Sequence, residues 1–343
     1  MTAEGEDHAR ILVVQTAFLG DVVLITPLLR ALREKYENSH LVFMGNPAGS
    51  VMLEGLSCLD EIIVYDKRNS EKGLAGLRNK ASQLREKNFD TVLCAHRSLR
   101  SAALLKMAGI PFRVGFSNSA FPWLFNARVP RDPCRHEVER NLALLDPLGG
   151  LPQDFDVRLE MSVNASPPGP LSNDNGRKKI GICPGSIWTT KRWPPQKFGE
   201  AAKVLAEERN AEVYLLGSEE DREAADMVAE AAGIEVRNLA GATTLAEWTA
   251  AMSKMDLIIT NDSAPTHIAS ALQVPVVVIF GPTTPRQGFA PWLNRSRTVE
   301  VRLPCRPCGE HGALRCPEGH FKCMELIEAE QVVGAARSLL EEG

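Results

Sequence analysis

One stretch of the chain, residues 256–292, concentrates groups able to hold an anion. Its turn carries Asp262, Ser263, Ala264, Pro265, Thr266 and His267. Ser263 and Thr266 offer hydroxyl donors, and a helix starting here would aim unpaired N–H groups and the positive end of its dipole outward. Pro265 fits a first-turn position, where its missing N–H costs nothing. The pattern reads as a diphosphate cradle. It is equally the pattern of an ordinary strand-to-helix turn with capping residues. A second loop, PGSIWTTKRWP at 184–194, offers backbone amides at Gly185 and Ser186 and positive charge at Lys191 and Arg192. Cations and aimed N–H groups are what a diphosphate needs. A third turn, 217–221, places Glu219 and Glu220 just past a strand. Either acid there can accept from ribose hydroxyls, with Glu220 the candidate, or both simply begin a helix. At the other end of the chain, QTAFLGD at 15–21 puts Gly20 and Asp21 beside a helix start. Gly20 permits a tight turn or close approach to a ligand. Asp21 either complements the helix dipole or aims a carboxylate at a ligand.

The elements around these loops alternate. Apolar runs at 10–14, 40–44, 61–65, 90–95 and 113–116 read as strands, separated by helical stretches at 22–36, 50–56, 73–87 and 98–107, with a further helix at 136–148. After 163–179, a Pro-, Gly-, Ser- and Asn-rich linker, the alternation restarts: strands at 179–183, 212–216, 236–239, 257–259 and 274–280, with helices at 195–208, 221–232, 244–255 and 266–272. Strands alternating with helices predict parallel doubly wound sheets. The expected organisation is a first Rossmann-like domain at 1–162, the linker, a second at 180–326, and a last helix at 327–343. In such sheets the loops at the strands' carboxyl ends bind ligands. All four candidate loops are of that kind.

Composition narrows the class. The chain has 343 residues, 44% hydrophobic and 24% charged, with a net charge of −4. No apolar run reaches the ~20 residues needed to span a bilayer. The polar start MTAEGEDHAR lacks a secretory pattern. A cytoplasmic protein is expected, and nucleic acid is not an expected partner. Charge is nonetheless uneven. Residues 67–140 hold 15 Lys and Arg against 6 Asp and Glu. That excess is either a solvated face or a surface for an acidic acceptor or an anionic membrane. There is no G-x-G-x-x-G after the first strand, no G-x-x-x-x-G-K-[ST], and no D-x-D at a strand end. Hydride transfer and P-loop chemistry are therefore not expected, and the chemistry need not involve a divalent ion. Cys305, Cys308, Cys316 and Cys323 form a compact run with His311 and His320 nearby. The first pair has zinc-hairpin spacing and the second is longer than usual. A structural zinc and reduced thiols both remain open.

Three segments, ILVVQTAFLGDVVLITPLLRAL, PGSIWTTKRWP and TNDSAPTHIASALQVPVVVIFGPTTP, jointly resemble the ADP-heptose:lipopolysaccharide heptosyltransferases of glycosyltransferase family 9, with the look of the heptosyltransferase II branch. The resemblance covers nearly the whole chain. It implies a GT-B fold, two Rossmann-like domains facing across a cleft, with donor held by the second and acceptor by the first. It implies that the last helix packs back on the first domain. Asp21 then corresponds to the general base, Lys191 to the lysine at the departing diphosphate, and Asp262 to the donor-site aspartate, with Ser263, Ala264 and His267 on the phosphate side. Gly20, Arg97 and Arg100 fall to the acceptor. The implied reaction is an inverting displacement that needs no cofactor, with ADP-heptose as donor and the lipopolysaccharide inner core as acceptor, at the inner face of the inner membrane. Two departures stand out: Ala264 occupies a position where many members have Gly, and Ser186 lies where others carry paired threonines.

Overall fold

The structure, a computed structural model, describes residues 9–172 and 176–342. The polar start at 1–8 and residues 173–175 of the expected linker lie outside the described residues. The chain divides into two compact units, Met1–Ser162 and Val163–Gly343.

In the first unit six parallel strands form one sheet: β1 (Arg10–Gln15), β2 (His40–Gly45), β3 (Glu61–Val64), β4 (Thr91–Cys94), β5 (Phe112–Phe116) and β6 (Ala127–Val129). Their order is β3-β2-β1-β4-β5-β6. The second unit also has six parallel strands: β7 (Lys179–Cys183), β8 (Glu212–Leu215), β9 (Arg237–Asn238), β10 (Leu257–Asn261), β11 (Val276–Phe280) and β12 (Ser296–Glu300). Read as β9-β8-β7-β10-β11-β12, the second sheet repeats the order of the first. In both, the order reverses between the first and fourth strands. Crevices form at the carboxyl ends of such strands. The turns after β1 and β4, and those after β7 and β10, therefore lie at the two switch points.

Burial explains why the apolar runs were legible. Leu12, Val13 and Val14 of β1 and Ile258 and Ile259 of β10 are fully buried, as in sheets covered on both faces. The edge strands β6 and β12 lack such runs. Arg128 in β6 and Thr298 in β12 are exposed, so these strands carry polar residues that mask them in the sequence.

The expected helix at 22–36 is two helices, Leu19–Val23 and Thr26–Lys35. Pro27, near the start of the second, has no N–H to continue the first. Gly20 and Asp21 thus lie inside a short helix rather than in the turn before one. The expected helix at 136–148 ends at Leu142 and continues as a 3-10 turn, Ala143–Leu148, that contains Pro147. His136 caps it: its Nδ1 accepts from the Val138 N–H at 3.2 Å.

The last helix, Ala329–Glu341, is packed into the core of the second unit. Its apolar stripe, Val332, Val333, Ala336 and Leu339, is buried in the core that contains Ile182, Phe198 and Val277. Each buried Val or Leu contributes roughly 1.5–3 kcal/mol. The preceding segment is tied down as well. The Trp193 indole N–H donates to the Ile327 carbonyl at 3.0 Å, and Lys197 reaches the same carbonyl at 3.0 Å and Glu328 at 2.8 Å.

Candidate active site

The second unit's switch point is held by Asn261, the last residue of β10. Its side chain donates to the Pro184 carbonyl at 2.7 Å and accepts from the Trp193 N–H at 3.0 Å. One buried amide therefore pins both ends of the 184–194 loop to β10. Inside this frame Lys191 Nζ donates to Asp262 Oδ2 at 2.6 Å, and Thr283 Oγ1 donates to the same oxygen at 2.5 Å. Lys191 and Asp262 are both buried, with side-chain exposures of 11% and 5%. Such a pair is expensive to break, because removing one partner leaves an uncompensated buried charge.

The other donor-side candidates take different places. Ala264 opens the helix Ala264–Ala271 with Pro265 in its first turn. Its backbone is helical, so a side chain is tolerated where many members of the family have Gly. Ser263 Oγ donates to the Asn261 carbonyl at 3.3 Å. His267 is buried, and its ring stands 6.3 Å from that of Phe289. Ser186 Oγ accepts from the Trp188 N–H at 3.3 Å, and the Ser186 carbonyl accepts from Arg192 Nε at 2.8 Å. Both belong to the loop's own turn. Gly185 answers a steric demand, since a Cβ there would lie 1.9 Å from Asp221 Oδ1. Glu220 is exposed at the carboxyl end of β8, its carboxyl held below the usual range by its own backbone N–H and by Ser218.

The loop carrying the four cysteines braces this site. Thr190, next to Lys191, donates to the Ala313 carbonyl through its N–H at 3.0 Å and its hydroxyl at 2.8 Å, and accepts from the Ala313 N–H at 2.8 Å. A Cβ on Gly312 would lie 2.5 Å from Trp188 Cβ and 2.9 Å from Lys191 Cγ. Arg306 of the same loop donates to the carbonyl of Thr283 at 2.7 Å and pairs with Glu300 at 2.7 Å. The cysteine loop thus supports both residues that meet Asp262. Cys305, Cys308, Cys316 and Cys323 are free thiols, and Cys308, Cys316 and Cys323 border one small cavity under Thr190 and Phe321. Among the described residues, no group of three or more His, Cys, Asp or Glu side chains is arranged to hold a metal ion.

In the first unit, Asp21 is partly buried and accepts from the Phe18 N–H at 3.2 Å. Burial pushes its pKa up to about 7, and the charge of Glu137 pushes the same way. The Phe18 N–H, Arg131 and Arg97 oppose them. Glu137 is itself buried and clasped by Arg131 and by Arg140, the latter at 2.9 Å. Beside this turn, at the ends of β1 and β4, His96 Nδ1 meets the hydroxyls of Ser101 at 2.7 Å, Thr16 at 3.0 Å and Ser98 at 3.1 Å, and Lys67 donates to Thr16 at 3.1 Å. Burial and the neighbouring Lys67 and Arg97 charges push His96 down to about 4, so it is a neutral imidazole at pH 7. Gly20 is buried within the short helix. Arg97 belongs to the Asp21 neighbourhood. Arg100 is engaged elsewhere: its Nε donates to the Tyr65 hydroxyl at 2.7 Å and its terminal nitrogens to the carbonyls of Gly73 at 2.9 Å and Glu71 at 2.6 Å.

Sequence reasoning missed Asn261, Thr283, Arg131 and Glu137 as members of these sites. For Thr283 a signal existed in the Gly-Pro-Thr-Thr-Pro turn that ends β11. Glu137 gave none, since its effect on Asp21 depends on tertiary proximity.

Residues 78–316 match glycosyltransferase family 9 (heptosyltransferase). The chain belongs to this family. It is 30% identical over 352 residues to lipopolysaccharide heptosyltransferase 2 of Salmonella typhimurium, covering 97% of this chain and 99% of that protein. It is likewise 30% identical to the Escherichia coli protein of the same name, covering 96% and 98%. Among solved structures, a family 9 glycosyltransferase from Veillonella parvula superimposes with a TM-score of 0.86 at 25% identity, covering 98% of each chain. The E. coli ADP-heptose lps heptosyltransferase II does so with 0.76 at 27% identity, covering 97% of this chain and 99% of that one. The fold is GT-B and the protein is a glycosyltransferase.

Proposed function

We propose that this transferase moves L-glycero-D-manno-heptose from ADP-heptose to an inner-core heptose of lipopolysaccharide, with inversion at the anomeric carbon. The observation that carries this reading is the near-full-length similarity to lipopolysaccharide heptosyltransferases 2. In the reaction, the Asp21 carboxylate accepts the proton of the acceptor hydroxyl as that oxygen attacks the anomeric carbon. The bond from that carbon to the ADP oxygen breaks, and ADP leaves with the bonding pair. A base with a pKa of about 7 suits this role, because about half of it is ionised at neutral pH and the ionised form is basic enough to take the proton. Lys191 meets the charge that develops on the departing diphosphate. Asp262 is an unsuitable direct partner for a diphosphate, since like charges repel. Its place is to hold Lys191 and Thr283 in position. Backbone N–H groups at the start of the helix Ala264–Ala271 supply further donors. No cofactor enters the scheme.

Arg97 and Arg131, beside Asp21, favour an acceptor that carries phosphate or carboxylate. No helix among the described residues is long and apolar enough to cross a membrane. With an inner-core acceptor, the reading has the enzyme work at the cytoplasmic face of the inner membrane by peripheral contact. The test is a transfer assay with heptosylated core acceptor, preceded by calorimetry with ADP-heptose, ADP, UDP and GDP. Selective binding of the adenine ligands and transfer of heptose support the reading. Preference for UDP or GDP, or transfer of another sugar only, overturns it.

A further inference from the structure

The loop that joins β5 to β6 turns two aromatic side chains outward. Trp123 is 65% exposed and Phe121 43%, and their rings pack edge to face with centroids 4.7 Å apart. Leu99, at the start of the helix Leu99–Met107, is 44% exposed. The Ala120 N–H donates to the Arg97 carbonyl at 2.9 Å, which ties the aromatic loop to the turn that carries Leu99. The display is built into the fold. Phe125 is buried against Gly115, where a Cβ would lie 2.7 Å from its ring. That inward anchor fixes the register of the loop. Phe121 holds a left-handed backbone, φ 58°, a conformation that costs a non-glycine residue of order 1 kcal/mol. Core packing does not account for an aromatic pair held outside at that cost.

The segment that carries the loop has charge of one sign. Residues 97–131 contain six Arg and Lys and no Asp or Glu. Arg113 is turned inward to the Leu124 carbonyl at 2.9 Å, while Lys106 and Arg128 are exposed and Arg97, Arg100 and Arg131 partly so. An exposed Trp–Phe pair in a segment free of acids matches an anionic bilayer surface. Aromatic rings settle at the headgroup level, and cations are drawn to the negative leaflet.

We propose that the Phe121–Trp123 knob, with Leu99 and the exposed cations Lys106 and Arg128 of the same segment, is the surface by which this transferase sits on an anionic lipid bilayer. The inference deepens the proposed function, whose acceptor is membrane-anchored, and rests on that reading. The test uses the full chain and co-sedimentation with vesicles of phosphatidylcholine alone or mixed with phosphatidylglycerol. Trp123→Ser and Phe121→Asn are the variants, Asn being tolerant of a left-handed backbone. The expected result is binding to the mixed vesicles that weakens with salt, and a loss of about tenfold or more in partitioning for the double variant. Its unfolding temperature and its transfer to a water-soluble, delipidated core acceptor stay unchanged, while transfer to vesicle-embedded acceptor falls. Undiminished vesicle binding by the double variant overturns the proposal. So does a wild-type dimer in sedimentation velocity that Trp123→Ser makes monomeric, because the knob is then a contact between copies. Failure of the wild type to transfer heptose to either acceptor strikes at the proposed function instead, and leaves the vesicle result to stand by itself.

Discussion

The two sheets share a strand order, and each carries an aspartate at its switch point, but the two carboxylates live in opposite surroundings. Asp262 is held by a cation and a hydroxyl: Lys191 and Thr283 both donate to one of its oxygens at 2.6 and 2.5 Å. Asp21 has a single backbone donor at 3.2 Å and a like charge, Glu137, nearby. The first environment fixes a carboxylate as a holder of other groups. The second leaves one poised to exchange a proton near pH 7. One residue type on one topology thus supports two roles, separated by the neighbours each loop recruits.

Breaking the Asp21 side has the largest expected effect. Asp21→Asn removes the base and lowers kcat by about 10²–10⁴-fold, while affinity for ADP-heptose in calorimetry is preserved. Stability moves the other way. The folded pKa is raised from the ordinary 3.8 to about 7, so the charged form is disfavoured in the fold. The associated stability is present below the unfolded pKa and is lost as pH rises through about 7. Asp21→Asn is therefore expected to raise the unfolding temperature above neutral pH and to leave it unchanged in acid, as thermal melts across pH would report.

Breaking the Asp262 side comes next. Lys191→Ala removes the cation at the leaving group and lowers kcat by about 10²–10³-fold. It also leaves Asp262 buried and unpaired, a destabilisation of about 3–5 kcal/mol measurable by denaturant unfolding. Above neutral pH the two variants thus shift stability in opposite directions, although both slow turnover. A smaller effect sharpens the same contrast. Gly312→Val forces a branched side chain against Trp188 and the stem of Lys191. It should reduce kcat about tenfold through displacement of Lys191 and leave the acid limb of the pH profile, which belongs to Asp21, where it was. The smallest effect on turnover is expected for Arg100→Gln. Its guanidinium ties Tyr65, Glu71 and Gly73 together, so the variant should lower the unfolding temperature with little change in acceptor KM.

Much of this was legible in the sequence, for identifiable reasons. Central strands such as β1 and β10 are buried on both faces and so read as unbroken apolar runs. The loops that follow them were recognisable by Asp21, Lys191 and Asp262. Edge strands β6 and β12 were not, because one side of each carries polar residues. The break between Leu19–Val23 and Thr26–Lys35 was signalled by Pro27 and obscured by the continuous apolar period across it. The Tyr65, Glu71 and Gly73 partners of Arg100 were not legible, because they lie 27 to 35 residues away in the chain. Asn261, Thr283 and Glu137 act through partners far along the chain, which spacing does not reveal. The terminal helix was legible through its own stripe of Val332, Val333, Ala336 and Leu339, which packs it into the second unit's core.

The most direct test of the division between the two aspartates is the pH dependence of single-turnover heptose transfer at saturating ADP-heptose, for the wild type and Asp21→Asn. The wild-type rate should rise with pH along one ascending limb with its midpoint near 7, and the residual rate of Asp21→Asn should be flat over the same range. A wild-type rate that is flat through that region, or an identical limb in Asp21→Asn, would contradict the assignment of Asp21 as the base.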